Sequence, residues 1–551
     1  MIAALVGPEG LTEKASSFGR RDVIDHAAEL LPRYHPAPAR TAGEARELLE
    51  AIADRVLRDP RVIPLLDPAA RTSGEVIRPR DTDGRVLREV CTQTERRYST
   101  VDLLAAEHEL LQRANARQTD RIAVVPEEQV DAALAAFPGL DADQQAMVRR
   151  LASSGAGVDV VVGKAGTGKT TAMRAYGDLA RRAGLQVLAV APSATAAHQL
   201  SVSAGIEACT LDKLLVEVAH GHRHLPPDVV VIVDEAAMVD TRNRLALQRL
   251  VDDAGGKVVD VGDHRQIPSV DVGGIHHVLA TKLGAVTLGV NHRFRNPGYR
   301  DAADLIRDGH ADKGIQQLRA LGAVHEYDEP ADAWAAMVGA WARLRAGGAD
   351  VRMFATERAV VGRLNLLARD HLTQTGEVAS RGRDYVSDDD ARAICLAVGD
   401  RVRLGRNDSR LPQPDGTTVT VRNGMTGTIT RTTRRHVTVK LDADHRNPDG
   451  PAQIVLPAGY AGADVDYSYA TTTDKAQAAD VDDSLFAPSP ATSAERAYVA
   501  LSRGRHSNRI YAVADSGWDQ AIATSRAHTL ASDQQPDWAR PEGEELQPEA
   551  G

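Results

Sequence analysis

Residues Gly163 to Thr170 read GKAGTGKT and follow directly on the apolar run Val158 to Val162, so a glycine-rich loop stands where a buried strand gives way to a helix. Such a loop is a phosphate cradle. Gly163, Gly166 and Gly168 let backbone N–H groups turn toward an anion, Lys169 neutralises the β and γ phosphates, and the Thr170 hydroxyl can coordinate Mg²⁺. With Thr167 these are the candidate nucleotide-binding positions. A second signal is VVVIVDEAAMVD, Val229 to Asp240, in which a buried strand delivers Asp234 and Glu235 at its C-terminal end, where α/β sheets place ligands. Asp234 is expected to hold Mg²⁺ and Glu235 to orient or deprotonate an attacking water. A third strand end carries VGDHRQIPSVDVGG, Val261 to Gly274. There Gln266 offers an amide to the γ-phosphate or the water, and Asp263 can support the metal side.

These residues need a sheet to hold them. Between about 139 and 297, Val-rich strands at Val158 to Val162, Val187 to Val190, Val229 to Val233, Val258 to Val261 and Val286 to Leu288 alternate with helical stretches. That alternation predicts a parallel sheet covered on both faces, and hence the α/β class. Residues 1–138 show helical periodicity, with Ser99 and Asp102 placed as a capping box, and read as a helical accessory domain. A second α/β region is expected over 298–389, starting its sheet at Val351 to Ala355, and resuming over 466–515 with Ile510 to Val513. The intervening 390–465 changes to short strands with Gly and Asn turns and reads as an inserted β-barrel. Residues 516–551 read as a tail, disordered over about the last dozen positions.

The chain has 551 residues, 43% hydrophobic and 26% charged, enough for three or four domains. No apolar run approaches the ~20 residues of a membrane span, and Met1 to Gly10 lacks a signal pattern, so the expected location is the cytoplasm. Cys91, Cys209 and Cys395 are far apart and form no CxxC pair, which supports neither a disulfide framework nor a zinc knuckle. HGHRH, His220 to His224, reads as a solvated loop rather than a metal cluster, and His276 and His277 are read the same way. The net charge of −10 excludes a protein that coats nucleic acid by overall charge but leaves room for a basic channel. With aromatics at 4%, nucleic-acid contacts are expected mainly to phosphates.

GKAGTGKT, VDEAAMVD and GDHRQIPSVDVGG, followed by LGVNHRF (Leu288 to Phe294) and YVALSRGR (Tyr498 to Arg505), resemble the motif set of superfamily 1B helicases of the RecD type, and more closely the helicase region of MobF-class conjugative relaxases, the TraA and TrwC type. The similarity spans roughly residues 90 to 515. It implies two RecA-like motor domains (139–297 as 1A; 298–389 with 466–515 as 2A), an SH3-like barrel 2B at 390–465, and a short strand-splitting pin at about 214–228. It also implies that Gln144, in LDADQQ, reads adenine through its amide, and that Arg293 and Arg503 reach the γ-phosphate as arginine fingers when the domains close. Ser193 and Thr195 in APSATAAHQL, Thr210 in TLDKLL, and Thr472, Lys475 and Gln477 in the string Tyr469 to Ala478 match strand-contacting positions. Ser193 and Thr195 could equally be helix caps. In that last string Asp474 replaces the family's usual histidine and Ala478 its glycine, which would weaken DNA binding or coupling.

The resemblance implies ATP and Mg²⁺ as cofactors and ATP-driven movement on single-stranded or forked DNA, 5′ to 3′, by a monomer without a membrane partner. The phosphate loop alone establishes only an NTPase. No three-histidine site with a tyrosine nucleophile is found before Gly163, so the nicking half is expected to be absent and Met1 to begin a split or truncated relative. A relaxase or nuclease partner is then possible. Two alternatives stay open: an ATP-gated single-strand binding or loading module with little unwinding, and a regulatory NTPase subunit of a larger complex.

Overall fold

The computed structural model describes residues 1–34, 41–65, 96–267, 272–387, 392–413, 415–442, 453–476, 480–525 and 530–532. The N-terminal part is helical, with α1 (Arg20–Tyr34), α2 (Ala42–Leu57) and α3 (Val101–Ala116), followed by α4 (Ala142–Ser153). Helix α3 is capped by Thr100, whose hydroxyl accepts from the Leu103 N–H, and not by Ser99, which is buried and donates to the Ser16 carbonyl.

Six parallel strands then form the first sheet: β1 (Val158–Gly163), β2 (Val187–Ala191), β3 (Glu207–Thr210), β4 (Val230–Asp234), β5 (Lys257–Gly262) and β6 (Val286–Leu288), in the order β3-β2-β4-β5-β1-β6. Helices α5 (Lys169–Arg182), α6 (Ala194–Ala204), α7 (Leu211–Ala219), α8 (Thr241–Asp253) and α9 (Ile275–Leu283) make the connections. The near-continuous valine runs follow from this, because a parallel strand covered on both faces has no polar side; Val158, Val161, Val230, Val231, Val233, Val258, Val259 and Val261 are fully buried. Order β4-β5-β1 sets the C-terminal ends of the strands bearing Asp234, Asp263 and the phosphate loop side by side. Where a pin was expected, at about 214–228, the chain finishes α7 and runs to β4 through turns, with no strand.

Helix α10 (Pro297–Arg307) leads to a second parallel sheet of β7 (Val324–Tyr327), β8 (Val351–Ala355), β14 (Ala470–Thr472), β15 (Val481–Ala487) and β16 (Gly504–Val513), ordered β14-β8-β15-β16-β7. Helix α11 (Arg358–Gln374) follows β8, and α12 (Ala494–Leu501) joins β15 to β16. Inserted between α11 and β14 is an antiparallel sheet of β9 (Arg401–Leu404), β10 (Thr426–Thr432), β11 (His436–Leu441), β12 (Gln453–Pro457) and β13 (Val465–Tyr467), ordered β12-β11-β10-β9-β13. Its alternating burial gives it a core of its own around Val402, Ile429, Val439 and Ile454.

The C-terminal segment is not all tail. Trp518, on a short helix, is buried against the second sheet's core, while Leu530 and Ala531 return to the N-terminal part. There the buried carboxylate of Glu107 accepts the N–H groups of Ala531 and Ser532 at 3.1 and 2.8 Å. Among the described residues no helix is long and apolar enough to cross a membrane.

Candidate active site

The loop between β1 and α5 turns through Gly166 (φ 82°) and Gly168 (φ 73°), both left-handed, a conformation glycine adopts without penalty. Space forbids side chains there as well. A Cβ on Gly166 would sit 2.6 Å from the Arg293 Cβ, and one on Gly163 would sit 2.7 Å from the Lys169 Cγ. The Lys169 ammonium donates to the Gly163 carbonyl at 2.8 Å, which holds it over the loop. A cleft of about 380 Å³ opens at this point, and Gly166, Thr167, Gly168, Lys169, Thr170, Asp234, Glu235, Gln266, Arg293 and Arg503 all line it. Residues from both parallel sheets thus share one cavity.

At the end of β4 the two acids crowd each other. Burial, and then the neighbouring charge of Glu235, push the Asp234 carboxyl up to about 7, with Lys169 opposing. Glu235 has φ 51°, an uncommon conformation for a residue with a side chain and one that clusters at functional sites, and its N–H donates to Asp234 Oδ1 at 3.0 Å. A part-buried acid pair lining the cleft is suited to a divalent cation, and Thr170 in the same cleft adds the hydroxyl oxygen such ions accept.

Asp263 is placed differently from the expectation. It is fully buried, does not line the cleft, and is held by Arg307 of α10 at 3.0 Å, with the Tyr498 hydroxyl donating at 3.3 Å and the Gln266 amide at 3.4 Å. Burial raises its pKa, but Arg307 and then Lys169 outweigh that and hold the carboxyl below its ordinary range. Already neutralised by a guanidinium, it ties the two halves together: the same Tyr498 hydroxyl accepts the Ala165 N–H of the phosphate loop at 3.1 Å.

The two arginines enter from opposite directions. Arg293 follows β6 and donates through Nη1 to the Ser502 carbonyl at 2.8 Å, with Nε 3.5 Å from Asp480. Arg503, at the end of α12, donates through Nε to the Val499 carbonyl at 2.8 Å; burial, and then Arg293, lower its pKa to about 10, so it stays cationic at neutral pH. Sequence reasoning missed Asp480, which lines the cleft and pairs with Arg505 at 3.1 Å. Its signal is weak, since nothing in the local string marks it.

Gln144 lies beside the loop, but its amide is engaged on both sides. Oε1 accepts the Asp141 N–H at 3.1 Å and Nε2 donates to the Thr167 carbonyl at 3.0 Å. The amide therefore does not present itself to the cleft as an adenine reader.

The strand-contacting candidates are spread over the two halves. Ser193 caps α6, accepting from the Ala196 N–H at 3.1 Å, and Thr210 caps α7, accepting from the Lys213 N–H at 3.2 Å. Thr195 instead donates to the carbonyl of Asn423, in the turn that leads into β10 of the inserted sheet, at 3.1 Å. Thr472 is buried, whereas Lys475 is exposed, and partial desolvation followed by the charge of Arg403 lowers its pKa. Gln477 and Ala478 lie outside the described residues. Asp474 pairs with Arg496 at 3.2 Å, so the substitution that looked costly carries its own counter-charge.

His220, His222 and His224 are exposed, as expected of a loop, but His276 is not: it is 2% exposed on α9, with His264 and His277 nearby. Among the described residues no group of three or more side chains could hold a metal ion by itself.

The family described as "AAA domain" matches residues 139–329. The probable conjugal transfer protein TraA of Sinorhizobium fredii is 26% identical over 502 residues, covering 91% of this chain and 41% of the relative. The ATP-dependent RecD2 DNA helicase of Deinococcus radiodurans is 35% identical over 176 residues, 30% of this chain and 24% of that one. Among solved structures, Pif1 helicase from Candida albicans superposes with a TM-score of 0.46 at 17% identity, covering 70% of this chain and 97% of that chain. The chain spans about two fifths of the length of the curated TraA relatives it matches.

Proposed function

We propose that the chain, which matches an AAA domain model and is similar to the TraA conjugal transfer proteins and to a RecD2 DNA helicase, is a RecD-like motor of helicase superfamily 1B that hydrolyses ATP to move along single-stranded DNA, in the 5′ to 3′ direction that the resemblance implies. The observation that carries this reading is the single cleft in which Lys169, Glu235 and Gln266 of the first sheet face Arg293 and Arg503, the latter from the second half. In this reading Lys169 binds the β and γ phosphates, Glu235 orients and deprotonates the water, Gln266 contacts the terminal phosphate, and the two guanidinium groups stabilise charge on the transferred phosphoryl group. Thr170 and Asp234 would hold Mg²⁺, which when bound neutralises phosphate charge.

Arginine action across a cleft couples chemistry to the approach of the two halves. We assign those halves as motor domains 1A and 2A, the inserted sheet as an SH3-like 2B barrel, and residues 1–138 as an accessory domain. Ser193, Thr195, Thr210, Thr472, Lys475 and Gln477 are the proposed strand contacts, alternately gripped as the cleft opens and closes. Relatedness to TraA supports a role in conjugative transfer, with single-stranded or forked DNA as the partner.

One observation favours a second reading. With no strand in the described residues at about 214–228, a hairpin that wedges a duplex apart is lacking at that place, which suits a translocase or loader. A forked duplex with a 5′ tail, incubated with ATP, separates the two: release of the displaced strand supports a helicase, and oligo(dT)-stimulated hydrolysis without release supports the loader. Hydrolysis indifferent to DNA would overturn both and favour a regulatory NTPase.

A further inference from the structure

The phosphate end of the cleft is crowded with groups that recognise charge, whereas beside it the start of α4, the loop tip and residues 289–294 are built to hold one another together. Asp143 accepts the Gly289 and Val290 N–H groups at 2.9 and 3.4 Å. Asp141 accepts the Gln144 N–H at 2.8 Å and pairs with His292 Nε2 at 2.6 Å, and the His292 N–H donates to the Gly166 carbonyl at 2.8 Å. Gln144 closes the knot through Asp141 and Thr167. Gly168 has no Cβ because one would collide with Gln144 Nε2, so loop and amide are fitted to each other. The first turn of α4 therefore staples the phosphate loop to the segment after β6 that carries Arg293.

That arrangement bears on which nucleotides are accepted. An amide distinguishes adenine by donating and accepting at once along one base edge. Gln144 retains a second hydrogen and a second lone pair in principle, but at 4% exposure they face protein, and the residue is not part of the cleft wall. The wall instead shows the cleft the ring of His292, about half exposed. A planar ring offers stacking, and every base has a face to stack.

We infer that this chain selects the triphosphate and not the base: it takes purine and pyrimidine nucleoside triphosphates alike, with Gln144 positioning the phosphate loop and His292 supplying a base-indifferent surface. The inference rests on the nucleotide-hydrolysing reading above and names its substrate class.

The test is competition binding of ADP and GDP in the presence of Mg²⁺, beside kcat/KM for ATP, GTP and CTP with oligo(dT). Affinities for ADP and GDP within about threefold are expected, since a bidentate base contact would separate them by about tenfold to a hundredfold. A preference for ADP in that larger range overturns the inference. Equal binding without hydrolysis of any triphosphate sustains it while the motor reading falls, and binding of neither nucleotide overturns both. In Gln144→Ala, ADP and GDP should weaken by the same factor, with KM for ATP and GTP rising together and kcat retained. Gln144→Glu, which keeps the acceptor for the Asp141 N–H but loses the donor to the Thr167 carbonyl, should not recover that loss. Weakening confined to ADP would make Gln144 a base reader and sink the inference, and the wild-type ratio decides the matter even where the variants fold poorly.

Discussion

The two parallel sheets handle charge in opposite ways. The first presents its groups at adjacent strand ends and leaves them in tension: Asp234 is pushed up to about 7 by burial and by Glu235, and Glu235 sits in a left-handed conformation. On the second, two cationic groups are held in place by backbone carbonyls, with Arg503 on the Val499 carbonyl and Arg293 reaching across to that of Ser502. One side is thus prepared for an incoming ion and phosphate. The other is prepared to hold two guanidinium groups beside each other against their mutual repulsion until anionic charge arrives. Chemistry on the first sheet should therefore be lost outright by substitution, whereas the contacts that join the sheets should fail by degrees.

The largest effect is expected from Glu235→Gln, which keeps the shape of the first-sheet site but removes the proposed base. Hydrolysis in the presence of oligo(dT) should fall by about 10³, while nucleotide affinity measured by competition stays within about threefold. Equal loss of both would mean that Glu235 shapes the pocket and does no proton chemistry. Next comes Arg307→Ala, which leaves Asp263 buried without its partner. A thermal melt should report destabilisation of about 3 kcal/mol, because removing one member of a buried ion pair strands the other charge. An unchanged melting temperature would show that Tyr498 and Gln266 suffice for Asp263.

Smaller still is Asp474→His, which restores the residue usual in the related string. Because Asp474 is already paired with half-exposed Arg496, the change should raise single-strand affinity only about threefold, read by fluorescence anisotropy over a salt series. A tenfold or larger rise would reinstate Asp474 as an impediment. The smallest effect concerns pH. Burial lowers the pKa of His264 to about 4, so in the folded state the neutral ring is favoured and the unfolded chain takes up the proton first. The resulting stability is complete above the ordinary value near 6.5 and is lost as pH falls from there toward 4. Melting temperatures of His264→Asn should accordingly decline less steeply than wild type between pH 7 and 5, and parallel curves would exclude this contribution.

The same contrast explains what could be read from the sequence. The phosphate loop, the acid pair and the Val-rich strands were legible because each is one continuous string whose geometry is local. Gln144 was misplaced because its second partner, Thr167, is 23 residues away, and no pattern in LDADQQ announces that contact. Asp263 looked like metal support from its strand-end position, yet its neighbours Arg307 and Tyr498 come from helices far along the chain. The buried return of Leu530 and Ala531 was equally hidden, since a short apolar step inside a polar tail has no periodicity to detect. The cap at Thr100 instead of Ser99 is a one-residue shift, decided by the hydrogen bond from Ser99 to Ser16.

The central claim is that hydrolysis requires both halves. Steady-state ATP hydrolysis with oligo(dT) should be compared between wild type and Arg503→Ala, with ADP affinity measured on the same preparations. The account predicts a fall in kcat of about 10³ with ADP affinity changed less than about tenfold, as for an arginine that acts on the transferred phosphoryl group. Hydrolysis at the wild-type rate would contradict it, leaving an ATPase confined to the first sheet and no means for the second to drive movement.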